Sequence, residues 1–130
     1  MKAILTIFII GLITFSCNKE PGVGGTSKIT GKINVEEYNQ TYTTLWASYD
    51  GADVDVYIQY GDNETYGDRV KTSPTGIYEF NYLVKGKYTI YVYSKDSTLQ
   101  SESGDIAILK KIEITDNKQV VEVPTITIFD

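Results

Sequence analysis

The stretch Thr72–Tyr93, TSPTGIYEFNYLVKGKYTIYVY, constrains the fold of this chain more than any other. Tyr78, Phe80 and Tyr82 alternate with Ile77, Glu79 and Asn81. Tyr88, Ile90 and Val92 alternate in the same way with Lys87, Thr89, Tyr91 and Tyr93. A period of two sends successive side chains to opposite faces of a strand, so each run carries one inward and one outward face. Ser73-Pro74-Thr75-Gly76 opens the first run, and Val84-Lys85-Gly86 separates it from the second. Pro presets φ and Gly accepts positive φ, so both segments are turns. Two such runs in succession predict a β-meander inside an antiparallel sandwich.

The same parity extends along the chain. Lys28–Val35 is a strand with Ile29, Gly31, Ile33 and Val35 on one face, and Asp53–Tyr60 one with Val54, Val56 and Ile58 inward. Gly61-Asp62-Asn63-Glu64 turns into a return strand over Thr65–Thr72, and Ile108–Thr115 follows with Ile108, Ile112 and Ile114 inward. In Gln119–Ile128, Val121 and Val123 share one parity and Ile126 and Ile128 the other, so Pro124 between them marks a bulge or a change of sheet. Short strands at this spacing predict an all-β chain, a single antiparallel Greek-key β-sandwich of about seven strands. Thr41–Tyr49, rich in Thr and aromatics, is a possible eighth.

Several of these positions resemble a known family. Gly76, Tyr78, Phe80, Leu83, Gly86, Tyr88 and Ile90 are similar to the G-x-Y-x-F … L … G … Y-x-V core of the carboxypeptidase regulatory-like domain, a transthyretin-like sandwich. Gly51-Ala52-Asp53-Val54-Asp55-Val56 resembles that family's G-A-x-V-x-V strand, and Ile29-Thr30-Gly31-Lys32-Ile33 its opening G-x-V. The resemblance runs from Ser27 to Ile128. Ser73-Pro74-Thr75 replaces the acidic or Asn residues usual before the turn Gly, and Gly31 to Ala52 is long for the family. What the resemblance implies is an accessory module rather than a catalyst.

The N-terminus carries an address. Lys2 precedes an apolar run, Ala3–Phe15, too short for an ordinary membrane span, which marks residues 1–16 as a signal peptide. Ile13-Thr14-Phe15-Ser16-Cys17 resembles a bacterial lipobox, and the leader resembles those of Bacteroidetes lipoproteins. Cys17, the one cysteine, is therefore expected to be lipidated, and acyl chains anchor a domain durably because each buried CH₂ contributes about 0.8 kcal/mol. Lipoproteins retained at the inner membrane often resemble a Cys-Asp start. Here Asn18 follows, so the expected location is the outer membrane. Residues 17–27, with Pro, three Gly and Ser after the cysteine, are expected to be a flexible linker, and residues 28–130 the sandwich domain.

Charge and composition exclude several classes. With 12 basic and 17 acidic residues the chain is acidic, and removing Lys2 with the leader gives 11 − 17 = −6. Nucleic-acid binding needs clustered cations, and the one adjacent basic pair is Lys110-Lys111. There is no His, which removes the commonest general base and zinc ligand. No Gly-rich phosphate loop precedes a helix. Asp53, Asp55, Asp62, Glu64 and Asp68 fit no calcium-loop spacing and are expected as surface acids. The expectation is a non-catalytic envelope lipoprotein without metal or cofactor. Its partners are the membrane through its anchor and another envelope protein; the alternative partner is a glycan or small ligand bound by exposed aromatics.

Candidate sites follow from parity. Tyr57, Tyr91 and Tyr93 point outward, and form one stripe if their strands are neighbours. Trp46 is either part of an aromatic platform or a plug at one end of the sandwich. Ser97, in the polar loop Ser94–Ala107, lies in Asp96-Ser97-Thr98, which resembles the short O-glycosylation motif of Bacteroidetes.

Overall fold

The computed structural model describes residues 20–130; Cys17 and the leader lie outside the described residues. No helix occurs among those residues, and nine strands do: β1 (Val23–Tyr38), β2 (Leu45–Asp50), β3 (Asp55–Tyr60), β4 (Asp68–Lys71), β5 (Ile77–Leu83), β6 (Gly86–Lys95), β7 (Asp105–Ile114), β8 (Val120–Glu122) and β9 (Ile126–Phe129). They form two sheets packed face to face, an all-β sandwich.

The first sheet is built on β1. Its N-terminal half pairs with β5 antiparallel and β8 parallel, and its C-terminal half with β2 antiparallel and β9 parallel. The second sheet has the order β4-β3-β6-β7, antiparallel throughout. The chain crosses between sheets at β2–β3, β4–β5, β5–β6 and β7–β8. Ile29, Ile33, Val35, Phe80 and Ile126 from the first sheet meet Val56, Ile58, Tyr88, Ile90 and Val92 from the second in one buried core.

Four expectations are corrected. The central stretch is not a meander: β5 and β6 lie in different sheets, and Val84-Lys85 carries the chain across the sandwich. Their inner faces meet through the core instead of lying side by side. Alternation is the same in both arrangements, so it cannot separate pairing from facing. The inward series also breaks at Tyr82. Its φ of 59° puts a kink in β5, so Leu83 turns in and Tyr82 stays 73% exposed. The stretch expected as linker is largely structured, because β1 begins at Val23. Finally, Pro124 does divide the last run, but into two strands that both run parallel to β1.

Two buried tyrosines show how each sheet closes its core. Tyr88 follows the tyrosine-corner pattern of Greek-key sandwiches. Its hydroxyl accepts from the Gly22 amide at 3.0 Å and donates to the Val84 carbonyl at 2.7 Å. Tyr78 covers Gly31 of the neighbouring strand so closely that any Cβ there would collide with its ring. Its hydroxyl has no hydrogen-bond partner among the described residues, and burial pushes its pKa up to about 12.

These elements define two ends. At the near end lie Pro21, the β3–β4 turn, the β5–β6 crossing and the β7–β8 turn. Gly61 N bonds Lys87 O, and Lys118 N bonds the Thr26 hydroxyl. At the far end lie the β1–β2 hairpin tip, the β6–β7 loop and Phe129.

Candidate functional site

The outward residues of β3 and β6 come together as parity requires. Tyr57 is the register partner of Tyr91, and the two strands are hydrogen-bonded neighbours. The row continues on both sides: Arg69 of β4 lies opposite Tyr57, and Leu109 of β7 opposite Tyr91. Arg69, Tyr57, Tyr91 and Leu109 thus cross all four strands on one face. Tyr93 stands two residues along β6, and Tyr66 reaches in from the β3–β4 loop.

The rings form one cluster. Tyr57 stacks on Tyr91 with centroids 4.9 Å apart and planes 8° from parallel. Tyr66 meets Tyr57 edge-on at 5.1 Å, and Tyr93 meets Tyr57 at 5.7 Å and Tyr91 at 6.0 Å, also edge-on. Offset stacking and edge-to-face contacts are the favourable geometries for such rings. Tyr57 and Tyr91 are half-buried by their neighbours, while Tyr93 and Tyr66 remain about half exposed (54% and 49%). Burial raises the Tyr91 hydroxyl pKa, and the neighbouring Tyr93, Tyr57 and Tyr66 add to the rise. The Tyr57 hydroxyl raises the guanidinium pKa of Arg69, with Asp55 adding to it. Lys71 and Asp55 pair at 3.5 Å on the margin of the row.

Beyond Tyr93 the face opens into a groove of about 320 Å³ at the far end, between the two sheets. Tyr49 and Tyr93 line it, with Ser94 and Ile128 deeper and Lys95, Asp105 and Asp130 around it. Lys95 and Asp105 are register partners on β6 and β7, yet neither they nor Asp130 take part in an ion pair among the described residues.

The remaining candidates are scattered. Trp46 is 69% exposed on β2, in the other sheet, so it neither plugs the sandwich nor joins the tyrosines. Ser97 lies in the β6–β7 loop, whose shape is set by Asp96. That buried carboxylate accepts from the Thr98 hydroxyl at 2.6 Å and from the amides of Thr98, Gln100 and Ser101 at 2.7–3.0 Å. These bonds, the Thr98 hydroxyl first, hold its pKa below the usual carboxylate value. Asp96 and Thr98 therefore have a structural use that accounts for them without a sugar on Ser97. Cys17 lies outside the described residues. No group of three His, Cys, Asp or Glu is placed to hold a metal among the described residues.

Sequence reasoning missed Tyr66, Leu109 and the groove. Leu109 was accessible, since Ile108 and Ile112 inward make it outward. Tyr66 sits in an irregular loop, where alternation carries no information.

No family model matches the chain, and no curated protein matches it. Several solved structures resemble its shape, two of them as follows. One is a Pseudomonas aeruginosa protein provisionally assigned as carbohydrate-binding, at 13% identity and a TM-score of 0.45, covering 82% of this chain and 89% of that one. The other is an (S)-allantoin synthase, at 10% identity and a TM-score of 0.44, where 78% of this chain matches 42% of that one. At these identities neither protein's ligand nor chemistry transfers to this chain.

Proposed function

We propose that the protein is a non-catalytic binding module of the cell envelope, anchored through lipid on Cys17, which docks another envelope protein on the tyrosine-covered face of its four-stranded sheet. The observation that carries this reading is the ring geometry. Tyr57 and Tyr91 turn their flat faces toward each other, so ring edges and hydroxyls are what the pair offers outward. A sugar ring stacks on an open aromatic face, whereas amphipathic Tyr edges on a flat surface with an Arg beside them match the composition of protein interfaces. Cross-strand pairing alone would account for Tyr57 and Tyr91, but not for Tyr66, which comes from a loop. The resemblance to the carboxypeptidase regulatory-like domain rests on Tyr78, Phe80, Leu83, Tyr88 and Ile90, all core residues, and an accessory role is what it implies.

The glycan alternative is favoured by a different observation, the groove beside Tyr93. It is concave, within the size range of small-ligand sites, and combines two tyrosines with unpaired charges. The two readings separate by variant. Tyr66→Ser with Tyr91→Ser alters the face and leaves the groove, and Asp105→Ala does the reverse. In a pull-down from envelope extract the tyrosine double variant should lose the partner while Asp105→Ala retains it. Loss of glycan-array binding in Asp105→Ala, with the tyrosine variant unaffected, would transfer the function to the groove.

A further inference from the structure

The near end of the sandwich holds features that the core and the tyrosine face do not use. Pro21 and Gly22 are fastened there. The Gly22 amide donates to the Tyr88 hydroxyl at 3.0 Å, and its carbonyl accepts from the Val84 amide at 2.9 Å. The Pro21 ring lies against Gly86, whose φ of 148° and lack of Cβ leave room for it. Between this fastening and Cys17 stand only Asn18, Lys19 and Glu20. Even fully extended, the chain from Cys17 to Pro21 spans at most about 14 Å.

Among the large apolar side chains exposed toward that end, two stand together and point away from the tyrosine face. Val23 is 67% exposed and Tyr82 is 73% exposed, the most exposed tyrosine of the described residues. They are close, because Val23 is the register partner of Leu83. Tyr82 owes its position to the kink at its own φ of 59°, a conformation unfavourable for an aromatic residue. A kink of this kind re-aims a side chain, and here it directs a Tyr to solvent. Lys85, three residues further on, is exposed as well, and Lys87 is exposed at the start of β6, where it lies with Glu20 and Asp62. A Tyr and an aliphatic residue flanked by Lys suit the membrane–water boundary, where amphipathic rings settle and long cations reach the headgroups.

We infer that the near end is the membrane-facing end of the protein, with Val23 and Tyr82 seated in the lipid headgroup region beside the acyl chains of Cys17. This rests on the anchoring reading above. The short chain outside the fastened segment fixes the occupant: a lipid surface held within about 14 Å of Pro21 leaves little room for a protein between. It also sets the direction of the molecule. β1 runs away from the membrane over its sixteen residues, up to about 50 Å at the rise of an extended strand. The far-end groove, the Ser97 loop and Trp46 are therefore carried outward, and the tyrosine face stands upright, open to a partner from the side.

Trp46, the one tryptophan of the chain, supplies an internal control at the far end. The full chain, purified from membranes and reconstituted into phosphatidylethanolamine–phosphatidylglycerol vesicles, is compared with Tyr82→Trp and Val23→Trp, each in a Trp46→Phe background. Lipids spin-labelled near the headgroup quench the indole. Circular dichroism checks the fold of each variant, and the two positions serve as independent reporters. Mass spectrometry of the N-terminal peptide reads acylation of Cys17. The expected result is an acylated Cys17, several-fold stronger quenching at 82 and 23 than at Trp46, and a blue-shifted emission at both. Acylated protein with positions 82 and 23 no more quenched than Trp46 would overturn the inference alone. Strong quenching at Trp46 as well would overturn it too, since the domain would then lie on its side. An unmodified Cys17 would overturn the anchoring reading and this inference with it.

Discussion

The two sheets share one core but present different outer faces. On the first sheet, outward positions carry ion pairs across strands, Lys28 with Glu79 at 3.6 Å and Lys32 with Asp50 at 2.8 Å, and Trp46, Ile77 and Val120 are exposed among them without forming an aromatic cluster. Thr30 fills the space between, its hydroxyl donating to the Tyr78 carbonyl. On the second sheet, the Lys71–Asp55 pair lies at the margin, and the equivalent central positions carry Tyr57, Tyr91, Tyr93 and Leu109, the tyrosines in mutual ring contact. Charged pairs and Thr are sufficient for a solvated face, so solubility and strand pairing do not require the second pattern. Parity assigns a side, while contact among the outward side chains separates scattered apolar residues from a clustered surface built for contact. The inner tyrosines differ in the same sheet-by-sheet way. Tyr88 of the second sheet is fully hydrogen-bonded and fastens the chain entry, whereas Tyr78 of the first has an unpartnered hydroxyl.

The largest expected effect removes what the faces share. Phe80→Ala in the common core should cost about 3–5 kcal/mol by the large-to-small rule, and both faces should be lost together in urea melts. A cost under about 1 kcal/mol would contradict the inward placement of Phe80.

Next comes the pair of inner tyrosines. Tyr88→Phe should destabilise by about 1–2 kcal/mol, because two bonds go and the Gly22 amide loses its partner. Tyr78→Phe should be neutral or stabilising by up to about 1 kcal/mol, since it removes a buried unsatisfied hydroxyl. Equal losses in thermal melts would erase the contrast between the sheets.

The outer faces should separate stability from binding. Tyr66→Ser with Tyr91→Ser is expected to cost about 0.5–2 kcal/mol, the scale of cross-strand and edge-to-face contacts, and to abolish partner capture. Lys28→Ala with Glu79→Ala should cost under about 1 kcal/mol, as exposed ion pairs do, and leave capture intact.

The smallest expected effect concerns pH and the Asp96 loop. The folded pKa of Asp96 lies below that of the unfolded chain, near 3.9 for an unperturbed Asp. Its contribution is thus fully present above about pH 4 and is lost as pH falls through the folded value. Asp96→Asn should lower stability at neutral pH, and the gap from the native protein should close on acidification below about pH 4. A gap that stays constant to low pH would show that the carboxylate is not what holds the loop.

Much of the fold is legible in the residues. Ile29, Ile33, Val56, Ile58, Tyr78, Phe80, Tyr88 and Ile90 all point inward as alternation requires. What alternation omits is which strands pair. Hence the alternation in β5 and β6 predicts neighbours, although the two strands face each other across the core. It also passes over kinks: nothing in the run YEFNYL announces that Tyr82 adopts positive φ. The segment before Ser27 looked like linker because its Gly content is high. The structure uses that Gly content for close approach, as at Gly25, where a Cβ would collide with the Leu83 carbonyl. The tyrosine face was half-legible. Tyr57, Tyr91 and Tyr93 followed from parity once β3 and β6 were adjacent. Tyr66 depended on a loop path, and Trp46 on the sheet to which β2 belongs.

The tyrosine face, not the opposite sheet or the exposed Trp46, is expected to be the contact surface. Hydroxyl-radical footprinting of the native protein with and without envelope extract tests it directly. Strong protection of Tyr57, Tyr66, Tyr91 and Tyr93 is expected in the presence of extract, with Trp46 and Tyr49 as reactive as in the free protein. Protection of Trp46 and Tyr49, with those four tyrosines unchanged, would contradict it.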